Sequence, residues 1–184
     1  NQDVVLDVVL EMFAEDMLFP SIEQASTRSG LSLRSLYRYF ADPGELAEAA
    51  IKRSQEQATA LAHLPHIGRG PFADRLDDFV SMRLRLYDAH GPMFRATIHN
   101  AAKHPRIRDE AHKNRRLLHE QFEQQFAPEL DAMSAQARSV ALEAGNVLTQ
   151  LDSIDLLRRI RNLTVAESAV VLRDGLATLL QPSS

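Results

Sequence analysis

The chain has 184 residues, 45% of them hydrophobic and 25% charged, with a formal net charge of −4, enough apolar material for one generous globular domain or two small ones. It contains no cysteine, which excludes a disulfide framework, a thiolate metal site and a cysteine nucleophile. No apolar run is long enough to span a membrane, and the opening NQDVVLDVVLEMF lacks the basic flank of a signal peptide, so a cytoplasmic location is expected.

Apolar residues recur at helical spacing almost throughout and strict alternation is rare, which predicts an all-α fold. In the first helix Val4, Val8, Val9, Met12 and Phe13 form one face, and Asp3, Asp7, Glu11 and Glu15 run along another. Pro20 closes that helix. Ser21 and Gln24 have the spacing of a capping box that opens a second helix, and Gly30 ends it where a left-handed residue is easily accommodated. Ser32 caps a short third helix, and Asp42-Pro43-Gly44-Glu45 opens a fourth that runs to about Leu64. The stretch LPHIGRGP is rich in proline and glycine and marks the clearest internal boundary. Further helices are expected at about 71–89, 92–102, 106–126, 134–161 and 164–180, with Pro105, Pro128 and a Thr164 to Glu167 capping box at their edges.

The third helix is locally basic in an acidic chain. A helical wheel over 33–40 puts Leu33, Leu36 and Phe40 on one side and Arg34, Ser35 and Arg38 on the other, flanked by Tyr37 and Tyr39. So short a helix is unstable alone, so its apolar side must pack on its neighbours and its polar side must face outward. Arginine can bond two acceptors on a guanine edge, while hydroxyls and helix-terminal amides bond phosphate oxygens. Two helices joined by a tight turn at Gly30, the second short and polar outside, have the pattern of a helix-turn-helix.

The run SIEQASTRSGLSLRSLYRYFADPGEL, residues 21–46, resembles the N-terminal signature of the TetR (tetracycline-repressor-like) family of transcriptional regulators. The shared pattern is a capping Ser or Thr, a small-residue helix, Gly, an apolar residue and Ser, a helix ending in Leu-Tyr-x-x-Phe, then an acidic helix start and Leu. The resemblance implies a helix-turn-helix DNA-binding domain over 1–45 and a helical effector-binding and dimerisation domain over 46–184. It implies a ligand-responsive regulator, a repressor, that binds a palindromic double-stranded DNA operator as a homodimer. By position it implies that Ser32, Arg34, Ser35, Tyr37, Arg38 and Tyr39 contact DNA, with Ser21 near a phosphate. Where the family carries a phosphate-binding lysine early in its fourth helix this chain has Pro43, so one backbone contact is lost. Residues 1–45 hold three arginines against eight acids, but no acid falls within 24–41; further basic charge is expected from residues ahead of Asn1.

In the second part, Val140, Ala144, Val147, Leu151 and Ile154 line one stripe of the 134–161 helix. Val165, Ala169, Leu172, Leu176 and Leu179 line the last helix, with Ala166, Val170 and Ala177 as a second row. These faces can be satisfied inside one subunit or across a twofold axis; the resemblance implies a four-helix interface between two copies. Apolar walls with a few polar groups suit a small, mostly apolar effector, and Met82, Leu86, Phe94, Ile98 and Phe122, with Asn146 and Gln150 one turn apart, are the candidate contacts. No cofactor, metal or catalytic residue is expected. His112 and His119 are too far apart along a helix to share an ion, HEQFE lacks the second histidine of a zinc motif, and no nucleophile-elbow, P-loop or dinucleotide fingerprint occurs. The remaining alternative is a helical interaction or ligand-binding protein of the same fold with weak or no DNA binding.

Overall fold

A computed structural model describes residues 2–181. It is all-α, with no strand among the described residues. The chain divides into two compact units. One comprises the residues up to Ala60 together with Pro92–Ala111; the other comprises Leu61–Gly91 together with the residues from His112 onward. The first therefore extends past the 1–45 segment that the sequence marks off.

In the first unit α1 (Gln2–Asp16), α2 (Ile22–Ser29), α3 (Leu33–Tyr39) and the front of α4 (Pro43–Leu61) close around one core. Val5, Leu6, Val9 and Leu10 meet Ile22, Ala25, Leu36, Phe40, Leu46 and Ala50 there. The buried face of α1 is rotated from the expected one: Val4 is 48% exposed and Val8 only half-buried. The doubled VVL runs allow either face, and the one carrying both leucines buries more apolar area. Leu33 likewise lies outward, because seven residues present too narrow a stripe, and Leu31 from the preceding turn packs on the core instead. Local chemistry sets the helix ends. The Ser21–Gln24 capping box forms, with hydrogen bonds of 3.2 and 2.8 Å. Gly30 takes a left-handed φ of 72°, and Ser26 Oγ donates to the Leu31 carbonyl at 2.6 Å across the turn. At α4, Asp42 Oδ1 accepts from the Glu45 amide at 2.9 Å and Glu45 Oε2 from the Ala41 amide at 2.6 Å.

The segment from Pro92 ties to this unit through side chains. Asn100 Nδ2 donates to the Met17 carbonyl at 2.6 Å, Arg106 pairs with Glu48 at 3.0 Å, and Gln55 donates to Glu110. That segment belongs to α5 (Phe72–Ala101) and α6 (Pro105–Gln125), each of which contributes residues to both units. The expected break between 89 and 92 does not occur: α5 runs through Gly91 and Pro92 without interruption. Proline removes one donor and glycine adds entropy cost, but its fixed φ fits a helix. Tyr87 and Ala96 are buried on either side.

The second unit is built on α5 and α6 with α7 (Ala127–Asp131), α8 (Ala135–Thr149), α9 (Leu151–Asp155), a π-turn (Leu156–Ile160) and α10 (Val165–Leu180). Its core holds Phe79, Met82, Phe122, Phe126, Leu130, Ile154, Leu172 and Leu176. Gly145 of α8 faces the Phe122 ring so closely that a Cβ would lie 2.2 Å from Cζ. Arg75, also buried, ties α5 to Glu129 and to the Gln125 carbonyl, and Gln125 Oε1 accepts from the Gly68 amide at 3.1 Å, pinning the glycine-rich loop. The single helix expected over 134–161 is interrupted: Gln150 is extended, with φ −67° and ψ 153°. The expected stripe is therefore split. Ile154 is buried on α9, whereas Val140 and Val147 are 60% and 63% exposed on α8, whose inner face carries Ala141, Leu142, Gly145 and Thr149. On α10 the inner face is Ser168, Leu172, Leu176 and Leu180, capped by the reciprocal Thr164–Glu167 pair, and Val165, Val170 and Val171 lie outward.

Candidate functional site

In α3, Leu36 is fully buried and Phe40 nearly so, so the helix cannot roll, and the residues between them are forced outward. Arg34 and Arg38, one turn apart, are both exposed. Among the described residues neither has an ion-pair partner. The Arg38 guanidinium lies 5.1 Å from the Tyr39 ring centroid, and its Nη2 donates to the Tyr39 hydroxyl at 3.2 Å. Tyr39 itself is half-buried against the core, so it serves as a platform for Arg38. Tyr37 is 52% exposed, and its hydroxyl donates to Glu23 Oε1 of α2 at 3.1 Å.

The serines divide differently. Ser32 caps α3, accepting from the Ser35 amide at 3.2 Å, and the two hydroxyls lie 3.0 Å apart. Ser32 is exposed and Ser35 half-buried. Ser21 is the acceptor in the α2 capping box, and its hydroxyl also bonds the Glu23 carboxylate. The structure thus brings Ser32, Arg34, Ser35, Tyr37, Arg38 and Tyr39 together on one short helix, with Ser21 at the head of α2.

The pairings of two acids of this unit escaped the sequence reading. Glu23 is held below the ordinary carboxylate range, first by its own backbone amide and then by the Ser21 and Tyr37 hydroxyls; the same bond to Glu23 pushes the Tyr37 phenol up. Glu15 pairs with Arg28 at 3.2 Å. Partners separated by 13 and 14 residues leave no local pattern to read. The surface is cationic at Arg34 and Arg38 and acidic at its α2 edge.

The candidate effector contacts fall in two places. Phe94 and Ile98 are half-buried residues of the first unit, while Met82, Leu86, Phe122, Asn146 and Gln150 belong to the second. Met82 and Phe122 are sealed in the second core, where Phe122 lies 5.7 and 5.0 Å from the rings of Phe79 and Phe126. Leu86 is also buried. Gln150 Nε2 donates to Asn146 Oδ1 at 2.7 Å, so each amide is the other's partner. On the outer side of α8 and α10 a shallow groove of about 440 Å³ is lined by Met133, Ser134, Ala137, Val140, Thr178 and Leu179, among others. Among the described residues no group of three or more His, Asp or Glu side chains is placed to hold a metal ion, and no helix is long and apolar enough to cross a membrane.

No protein-family model and no curated protein matches the chain. Solved structures do. A candidate transcriptional regulator from Pseudomonas aeruginosa PAO1 superposes with a TM-score of 0.69 at 13% identity, over 98% of this chain and 90% of that one. A candidate fatty acid metabolism regulator of Clostridium perfringens does so with a TM-score of 0.64 at 14% identity, over 98% of each. At such identities the likeness is one of fold.

Proposed function

We propose that this protein is a ligand-responsive transcriptional regulator that resembles the TetR family, a repressor that binds a palindromic operator as a homodimer and is released by a small, mostly apolar molecule. The observation that carries this reading is that Arg34 and Arg38 project side by side from a short helix, exposed and, among the described residues, free of carboxylate partners. Two such arginines at helical spacing suit guanine edges in a major groove. Ser32, Ser35, Tyr37 and Ser21 carry hydroxyls suited to phosphate oxygens and Tyr39 steadies Arg38. The likeness to two structures named as candidate regulators supports the same reading.

Dimerisation gives the single helix its use, because two copies about 34–36 Å apart meet successive major grooves. Val140, Val147, Val165, Val170 and Val171, exposed on α8 and α10, are the apolar faces that a second copy covers. The effector acts by binding one of two conformations more tightly, the one whose recognition helices no longer match the operator.

A second reading, a helical ligand-binding or interaction protein with weak or no DNA binding, is favoured by the bond that commits Tyr37 to Glu23 and by Pro43 at the head of α4. A gel shift at low salt against the promoter beside the protein's own gene separates the two. The expected result is a retarded complex containing two chains per duplex, counted by native mass spectrometry, from a protein that is dimeric at micromolar concentration. A monomer that retards no DNA favours the second reading.

A further inference from the structure

Two arginines of α5 are buried, and the core treats them in opposite ways. Arg75 is matched by the Glu129 carboxylate and by two backbone carbonyls. Arg83 is 1% exposed, and its partners among the described residues are neutral. Its Nη1 donates to Gln121 Oε1 at 2.7 Å and its Nη2 to the Leu118 carbonyl at 2.7 Å. Its guanidinium lies 4.5 Å from the Phe79 ring centroid, and Nη1 is 3.8 Å from the Met82 sulfur. Nε is buried with no hydrogen-bond partner. With no carboxylate to oppose it, burial alone pulls the guanidinium down to about 9.

A buried cation without a counter-charge destabilises the fold that holds it, and so does a buried donor left unpaired. Bridging α5 to Gln121 and Leu118 needs only donors, which a neutral glutamine could supply. The feature that a structural bridge leaves unexplained is the charge, together with the unused N–H. Buried charged groups that the fold does not neutralise cluster at functional sites.

We infer that Arg83 is the anion subsite of the effector site, and that the effector is a small, mostly apolar monocarboxylate whose head group accepts from the free Nε–H. This rests on the ligand-responsive reading above and specifies its ligand. A single negative charge neutralises the site, whereas a doubly charged phosphate would carry an unmatched charge into the apolar cluster. Because Arg83 is sealed, the acid can reach it only when the Phe79, Met82 and Gln121 contacts part. The new ion pair then holds the parted conformation, which is the differential affinity an effector requires.

The test is thermal unfolding of the full chain with hexanoate, decanoate, palmitate and phenylacetate, each set against the alcohol of the same carbon skeleton. At saturating concentration at least one acid is expected to raise Tm by roughly 5 °C or more while its alcohol does not. Arg83→Met is expected to abolish that rise; in the ligand-free protein the relief of the unpaired charge is offset by the Gln121 and Leu118 acceptors it leaves without a donor. Should R83M fail to fold, Arg83→Gln keeps donors without charge and is expected to lose the same response. Equal shifts by acids and alcohols would leave an effector site standing and overturn its anion subsite. Retention of the acid response by a folded Arg83 variant, or no shift by any acid, also overturns it; silence from acids and alcohols alike counts against the ligand-responsive reading as well.

Discussion

Phe122→Ala is expected to destabilise the protein by about 3–5 kcal/mol, a fall in Tm of roughly 8–15 °C for a chain of this size. The ring is fully buried and sits between the rings of Phe79 and Phe126, 5.7 and 5.0 Å away, with Gly145 of α8 against its edge. Its removal costs the transfer energy of an aromatic side chain and leaves a cavity that α6 and α8, tied to the rest of the core on both sides, cannot fully close. The same geometry makes a second, opposite expectation. Gly145→Ala alone places a Cβ 2.2 Å from Phe122 Cζ, an overlap that only a shift of the ring or of α8 can relieve, and it costs about 1–3 kcal/mol. In the Phe122→Ala background the space is free, so the glycine substitution becomes nearly neutral, and the two changes are strongly non-additive. Urea denaturation of the four proteins of this cycle measures both. A loss below about 1 kcal/mol for Phe122→Ala, or simple additivity, means that the ring is not where the core needs it.

Replacing Arg34 and Arg38 together with alanine is expected to weaken operator binding by about 30-fold or more, since each arginine that reads a base edge contributes about 1–3 kcal/mol. The same variant is expected to keep its Tm within about 2 °C. Both side chains are exposed, and Arg38 rests on Tyr39 at the surface. Comparison with random-sequence duplex separates base reading from charge. Loss on the operator that far exceeds loss on random DNA assigns the arginines to base edges, whereas equal losses with a shallower salt dependence assign them to phosphates. A large fall in Tm instead makes them structural. Tyr37→Phe, which releases Glu23 at the α2 edge, leaves a free carboxylate beside the duplex and is expected to move affinity in the same direction by a smaller factor.

Features encoded within four residues were legible in the sequence. The capping boxes at Ser21 and Thr164, the left-handed turn at Gly30, the Asp42–Glu45 start of α4 and the outward projection of Arg34 and Arg38 all follow from local hydrogen bonding and helical periodicity. What was not legible depends on distant neighbours. Gly91-Pro92 reads as a helix end because two poor helix formers stand together, yet the chain passes through them because buried residues on both sides fix the helix. Nothing near Gln150 announces an extended residue; the break lets Ile154 reach the core while Val147 faces outward. The doubled VVL runs of α1 leave its buried face ambiguous until α2 and α3 are present. Nothing local marks Arg83, and its burial becomes visible only when α6 is laid against α5. Glu23 and Tyr37 meet only because α2 and α3 are folded back on each other.

On the proposed function, two copies of α3, turned outward and related by a twofold axis, read one duplex. Selection of bound sequences from a random DNA pool by the full chain tests it most directly. Enrichment of an inverted repeat, with half-site centres about one helical turn or a whole multiple of it apart and guanine at positions lost to the Arg34→Ala and Arg38→Ala proteins, is the predicted outcome. Recovery of no enriched sequence at low salt, or of a motif without twofold symmetry, would contradict it.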